Sequence, residues 1–306
     1  MSLRKRLLSR LGFALLAMYL VITVTFFVVV FTPDPNLQRL VNLARLGGAD
    51  PERVEEVRQT YLAARGRDRP LYVRYVDWLV NVTLVRWGAS PNMDAPVTQL
   101  VGNATVTTAK YLVPGTVTAW ALGIAAGIRS ARERGGRVDR RSRLATYTLF
   151  GLPGFWLAAL ALTLLGNTPP LVESVLVPAG VVAAALLAGQ VSLTRSASID
   201  EFDADYVRYL RAKGLDESTV DRRVLRNVVV PVLSMAATEL FSVLLLSIVV
   251  IESLLGIEGL GWLVYRAAKL RDIPLILGTT IVLVAVGVGG SVVADLASVW
   301  LDPRSR

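Results

Sequence analysis

The sequence predicts an all-α membrane protein of six spanning helices with both termini on the cytoplasmic side. Three observations carry that reading. Of the 306 residues 53% are hydrophobic, and the mean hydropathy is +0.52. Several apolar runs exceed about 18 residues, enough for a helix rising ~1.5 Å per residue to cross a bilayer core. The arginines gather beside these runs, most densely at Arg129, Arg132, Arg134, Arg137, Arg140, Arg141 and Arg143, against only Glu133 and Asp139. Short loops this basic face the cytoplasm. A net charge of +9 placed in this way marks the flanks of membrane helices, so a bilayer is the expected surround and nucleic acid is not a partner.

Composition also removes whole classes of function. Cysteine and histidine are both absent. That excludes a disulfide framework, a thiolate metal site and a cysteine nucleophile, and removes the commonest general base and metal ligand. No GxxxxGK[ST] phosphate loop, HExxH or GxSxG occurs. No enzyme, no metal and no resident cofactor are expected.

The first span is expected over residues 11–31, after Arg4, Lys5, Arg6 and Arg10. It is longer than a usual signal-peptide core, and no small-residue cleavage site precedes Thr32-Pro33-Asp34-Pro35, so it reads as uncleaved. In the polar stretch 32–103, Asp50-Pro51-Glu52 starts a helix that ends near Gly66. An amphipathic helix follows in RPLYVRYVDWLVNVTLVRW, with Leu71, Tyr75, Trp78, Leu79 and Val82 on one side, suited to lying on the membrane. The sequons at Asn81 and Asn103 are short enough to be chance matches. Further spans are expected at 104–128, which carries Lys110 and Pro114, and at 144–165, 171–194, 228–251 and 273–300. Residues 166–170 read as a tight external turn, 252–272 as an external loop, and Gly287, Gly289 and Gly290 as a close helix-packing site. The division is then 1–95, the first span plus an extracytoplasmic segment, and 96–306, a five-helix core with a cytoplasmic loop at 195–227.

Within that loop DYVRYLRAKGLDESTVDRRVLRNVVVP, residues 205–231, is the most polar stretch of the second half. It reads as two short helices joined at a glycine. Phe202, Tyr206, Tyr209 and Leu210 recur at helical spacing and form one apolar face, with Asp205, Arg208 and Arg211 pointing elsewhere. Gly214 stands where a helix C-cap needs a left-handed residue, Asp216 can cap the next helix, and Leu215 with Val220 form a hydrophobic staple. Acidic and basic residues interleave here, which suits a protein surface better than a lipid one. Two acids fall inside apolar runs, Glu239 and Asp295, and are candidates for a translocation path.

DYVRYLRAKGLDES followed by LRNVVVPVL resembles the cytoplasmic signature of the dipeptide/oligopeptide/nickel class of ABC-importer permeases. RPLYVRYVDWL, PVTQLVGNATVTTAKYL, VVIESLLGIEGLGWLVYRAAKLRDIPLILG and DLASVWLDPRSR resemble further segments of that class, in the same order and spacing. The resemblance implies a type I ABC-importer permease fold in a prokaryotic plasma membrane. It implies four kinds of partner: a second homologous permease, two ATP-binding-cassette ATPases that hold the ATP, an extracytoplasmic solute-binding protein, and the bilayer. It also implies that Ala212, Gly214 and Leu215 form a close-packed turn that docks on the ATPase, with Arg208, Arg211, Lys213, Asp216 and Glu217 as its polar surroundings. Departures from the class are Tyr209 and Leu210 in place of small residues, Arg222-Arg223 in place of a histidine, and Glu258 in place of a proline before Gly259-Leu260-Gly261. Glu239 replaces an uncharged polar residue. The competing readings are a stand-alone carrier or channel using Glu239 and Asp295, and a membrane anchor that recruits cytosolic proteins.

Overall fold

The computed structural model describes residues 3–64, 68–165 and 172–301. The chain is mostly helical: α1 (Leu3–Phe31), α2 (Pro35–Leu46), α3 (Pro51–Ala64), α4 (Leu71–Thr83), α5 (Val97–Arg132), α6 (Arg137–Phe150), α7 (Gly154–Leu165), α8 (Val177–Phe202), α9 (Asp205–Ala212), α10 (Glu217–Leu255), α11 (Leu260–Lys269) and α12 (Ile273–Leu301). A π-helical turn, Val172–Leu176, leads into α8, and a two-residue hairpin pairs β1 (Ala89–Ser90) with β2 (Ala95–Pro96).

Among the described residues three stretches are long and apolar enough to cross a membrane: Val97–Arg132, Val172–Phe202 and Ile273–Gly290. Two bent helix pairs raise the number to five if each forms one span. The third span expected at 144–165 falls in the first pair and is broken rather than continuous, because α6 and α7 meet at 91°. Gly151-Leu152-Pro153 explains the break: proline has no N–H to donate and disfavours helical geometry in the residue before it. The second pair corrects the loop expected at 252–272. There Ile248–Leu255 and Leu260–Lys269 are both helical and bent by 86°. The expected turn at 166–170 lies outside the described residues.

The chain divides into two compact units. The first comprises Met1–Val101 and Arg266–Ala285. In it the amphipathic face of α4 packs on α1. Tyr75 and Trp78 meet the ring of Phe26 at centroid distances of 5.3 and 5.7 Å, and Thr23 and Tyr75 share a 2.9 Å hydroxyl–hydroxyl hydrogen bond. Leu71, placed on that face by spacing, is exposed. Asp34 caps α2 by accepting from the Asn36 N–H at 2.9 Å, and Tyr61 of α3 donates to its other oxygen at 3.0 Å. Asp272, fully buried, caps α12 through the Leu275 N–H at 3.2 Å and accepts from Ser90 and Asn92 at 2.5 and 3.1 Å.

The second unit comprises Gly102–Tyr265 and Val286–Arg306. Helix α8 is its centre, packed against α6, α7 and α10. Glycines of α5 also lie against it. A Cβ placed on Gly115 would lie 2.6 Å from the Ala179 carbonyl oxygen, and one on Gly127 would lie 2.6 Å from the Thr194 Cβ. Only glycine at these positions lets the backbones come so near. By contrast, a Cβ on Gly289 or Gly290 meets no atom within 4 Å. At Gly289 and Gly290 the close packing expected from the sequence is not made with the described residues of this chain.

Candidate functional site

The polar stretch folds as an elbow of two helices, but not two short ones. Helix α9 is eight residues long, whereas the second helix continues through Pro231 as the 39-residue α10. The joint forms as its sequence dictates. Gly214 adopts φ 74°, in the left-handed region that other residues enter only at a cost of about 1–2 kcal/mol. Asp216 takes the extended conformation of an N-cap, and its carbonyl accepts the Thr219 N–H at 3.0 Å. Hydroxyls of Ser218 and then Thr219 donate to its carboxylate and hold it below the usual aspartate range.

Beneath the joint lies an apolar seat. Phe202, Val207, Leu210, Val220, Val224, Val228 and Val232 form one buried cluster with Ala131 of α5, and Leu215 packs against it. Leu215 thus packs on the cluster that contains Val220, its partner in the staple pattern. The apolar face itself needs correcting. Tyr209 is 59% exposed, whereas Val207 is fully buried. The spacing from Phe202 assumed one continuous helix, but α8 ends at Phe202 and α9 starts at Asp205, which resets the helical phase. Of the two bulky departures from the class, Leu210 therefore faces inward and Tyr209 outward.

Hydrogen bonds at the root join three helices. Glu201, near the end of α8, accepts from the Tyr206 hydroxyl at 2.7 Å and from Asn227 of α10 at 2.6 Å. Burial, followed by that bond to Glu201, pushes the Tyr206 phenol up to about 12. Sequence spacing did not single out this latch.

The charged residues of the elbow are mostly paired with one another. Arg208 lies 3.6 Å from Asp205, and Arg211 donates through Nε to Glu217 at 3.1 Å. Glu217 is also 3.8 Å from Arg132, which donates to Asp221 at 2.7 Å, so an ion-pair chain runs from α9 through α10 to α5. Exposed pairs of this kind are worth roughly 0.2–1 kcal/mol each and set orientation more than stability. The Lys213 ammonium sits 4.6 Å from the ring centroid of Tyr209. Tyr209, Ala212 and Lys213 together make an exposed, mixed apolar and cationic tip. Glu239 lies on α10 and Asp295 on α12, but their side chains fall outside the described residues.

A further buried acid, Glu252, was not among the sequence candidates. It is fully buried at the α10–α11 break. One carboxylate oxygen accepts from the hydroxyls of Thr108 and Tyr111, both at 2.6 Å, and the other accepts the Trp262 N–H at 2.9 Å. Thr108 in turn accepts the Leu260 N–H at 2.8 Å, so its hydroxyl proton is directed at the carboxylate. The Glu252 carbonyl meanwhile accepts from Ile257 at 3.0 Å and from Gly256, which closes α10 at φ 66°. One residue thus ends a helix with its backbone and caps the next with its side chain. A Cβ on Gly259 would collide with both the carboxylate and Thr108. An acid at the end of an apolar run, four residues before a glycine, was the signal available in the sequence.

Comparison with known proteins agrees with this architecture. Residues 123–306 match the family model described as binding-protein-dependent transport system inner membrane component. The chain is 30% identical over 318 residues to a putative peptide transport system permease protein of Brucella abortus, covering 98% of each. It is 28% identical over 300 residues to the metal-staphylopine import system permease protein of Staphylococcus aureus, covering 94% of each. It is also 28% identical over 275 residues to an oligopeptide transport system permease protein of Bacillus subtilis, covering 83% of this chain and 87% of that one. The resemblance to peptide- and nickel-type ABC-importer permeases is borne out, and such proteins are transport subunits rather than enzymes. This chain belongs to the inner-membrane components of binding-protein-dependent transport systems.

Proposed function

We propose that this chain is the permease subunit of an ATP-driven importer and forms half of a translocation path for peptides or related small solutes. The carrying observation is the elbow: a glycine-jointed pair of helices with an exposed tip at Tyr209 and Lys213, seated on a buried valine cluster. Such a surface suits a protein partner. In this reading the six spans place both termini and the 195–227 loop on the cytoplasmic side. The segment 1–95 forms the first span and extracytoplasmic part, and 96–306 forms the core of a type I importer fold. A second, homologous permease completes the path, two separate ATPases bind the ATP, and an extracytoplasmic solute-binding protein delivers the cargo. Relatives named for peptide and metal-staphylopine import support that substrate range.

Arg208, Arg211, Ala212, Lys213, Gly214, Leu215, Asp216 and Glu217 form the ATPase-coupling elbow, with Leu215 acting from inside as its seat. ATP-driven closure of the ATPase pair shifts the elbows and switches the permeases between inward- and outward-facing states. Glu239 and Asp295 lie on the path; unchanged uptake by Glu239→Gln would remove Glu239 from it. The defining experiment is purification of the tagged chain from native membranes. A second permease and ATPases bearing phosphate-binding loops should accompany it. Gly214→Pro combined with Arg211→Glu should lose the ATPases, and their retention would refute the docking role.

A further inference from the structure

Apart from the elbow and the α10–α11 break, the described residues of the second unit include a further buried acid. Asp139 stands in the first turn of α6 with 1% of its surface exposed. Its carboxylate accepts from Ser130 of α5 at 2.7 Å and from the Gly135 N–H of the connecting turn at 3.0 Å. Arg195 of α8 approaches with its guanidinium fork, Nε to one oxygen at 2.6 Å and Nη2 to the other at 3.0 Å. A single carboxylate therefore ties α5, the turn, α6 and α8 together. Burying the carboxylate carries a desolvation cost that offsets much of the pair's attraction, so the pair is a weak source of stability. What the pair supplies instead is a fixed register.

Register matters along this seam. Gly115 and Gly127 of α5 lie against Ala179 and Thr194 of α8, so at these contacts α5 contributes no side chain of its own to interlock. On α8, Gln190, Thr194 and Ser198 recur one turn apart and are buried, and each leaves a side-chain oxygen without a hydrogen-bond partner among the described residues. That row adds no directional bond to stop one helix sliding past the other. Arg195 lies in the last two turns of α8, whose final residue, Phe202, belongs to the elbow's seat. Ala131, the α5 member of that seat, directly follows Ser130.

We infer that Asp139 and Arg195 are positioning residues for coupling: they lock α5, α6 and α8 into one body, so that force on the elbow moves all three together. This rests on the coupling role proposed above. Without the lock, α8 slides along the glycine seam and the elbow's movement stops short of α5.

The test uses the complete transporter purified with its partners. This chain has no native cysteine, so spin labels can be placed at Arg129→Cys on α5 and Ser196→Cys on α8, with the partners' cysteines removed. The probe is MgATP trapped with vanadate, compared with the nucleotide-free complex. In the otherwise native complex the labelled distance should hold within about 2 Å between the two states, whereas a slide of one turn would shift it by about 5 Å. Adding Asp139→Asn with Arg195→Gln, which removes both charges and leaves no lone buried ion, should produce that shift. The same change should cut stimulation of ATP hydrolysis by the binding protein about tenfold, at the scale of a typical coupling free energy. Arg195→Lys keeps the charge but loses the fork; if the double substitution does not assemble, it is read in the same way. A native complex whose labels already move by about a turn overturns the inference. So does an assembled variant with unchanged distance and stimulation. Native complexes that carry no ATPase would instead refute the coupling role itself.

Discussion

The elbow at α9–α10 and the break at α10–α11 are both helix–glycine–helix joints, yet they are held in opposite ways. At the elbow Gly214 is left-handed, the cap is Asp216, and Arg208 and Arg211 pair with acids three and six residues away on the surface, with Arg132 of α5 joining Glu217 and Asp221 from outside. At the break Gly256 is also left-handed, but the cap is a fully buried carboxylate whose hydroxyl donors stand 144 and 141 residues away in sequence. A joint satisfied by its own neighbours leaves its outer face free to meet another protein. A joint satisfied by a distant helix is fixed in place by the unit around it. The elbow therefore has the design of a contact, and the break that of a rivet.

That contrast is broken most severely at Glu252. Glu252→Ala removes the shared acceptor and strands the donors of Thr108, Tyr111 and Trp262 in the interior. Each buried orphan costs about 1–3 kcal/mol, so folded yield in detergent and thermal midpoint should both collapse. Gly259→Ala comes next, because its methyl group must displace the carboxylate or Thr108. Overpacking of this kind costs about 1–3 kcal/mol and should lower the same midpoint. Gly214→Ala should be milder, about 1–2 kcal/mol of local strain at the elbow, seen as faster amide exchange in α9 with the global midpoint nearly unchanged. If Gly214→Ala proved more damaging than Glu252→Ala, the distinction between contact and rivet would be lost.

What the sequence disclosed follows the same line. The glycine joint, the Asp216 cap and the Leu215–Val220 staple were legible because cap chemistry acts over a few residues. The orientation of Tyr209 was misread because the phase was carried across the α8–α9 break from Phe202. Apolar runs located the three stretches at Val97–Arg132, Val172–Phe202 and Ile273–Gly290 but not the bends, where Pro153 and Gly256 interrupt helices. The partners of Glu252 and Asp139 were not legible because long-range packing, not spacing, supplies them. Lone acids in apolar runs were the criterion applied. It selected Glu239 and Asp295 and passed over Glu252, which had been assigned to a loop.

The most direct test of the elbow as a contact changes only its outer tip. Tyr209→Ala with Lys213→Glu leaves the valine seat and the Gly214 joint intact, since Tyr209 is exposed and Lys213 lies over its ring. The affinity of the cognate ATPase for this variant, held in nanodiscs, should fall by at least about 2 kcal/mol, roughly 30-fold, with the permease's thermal midpoint unchanged. Native affinity in that variant would contradict the account.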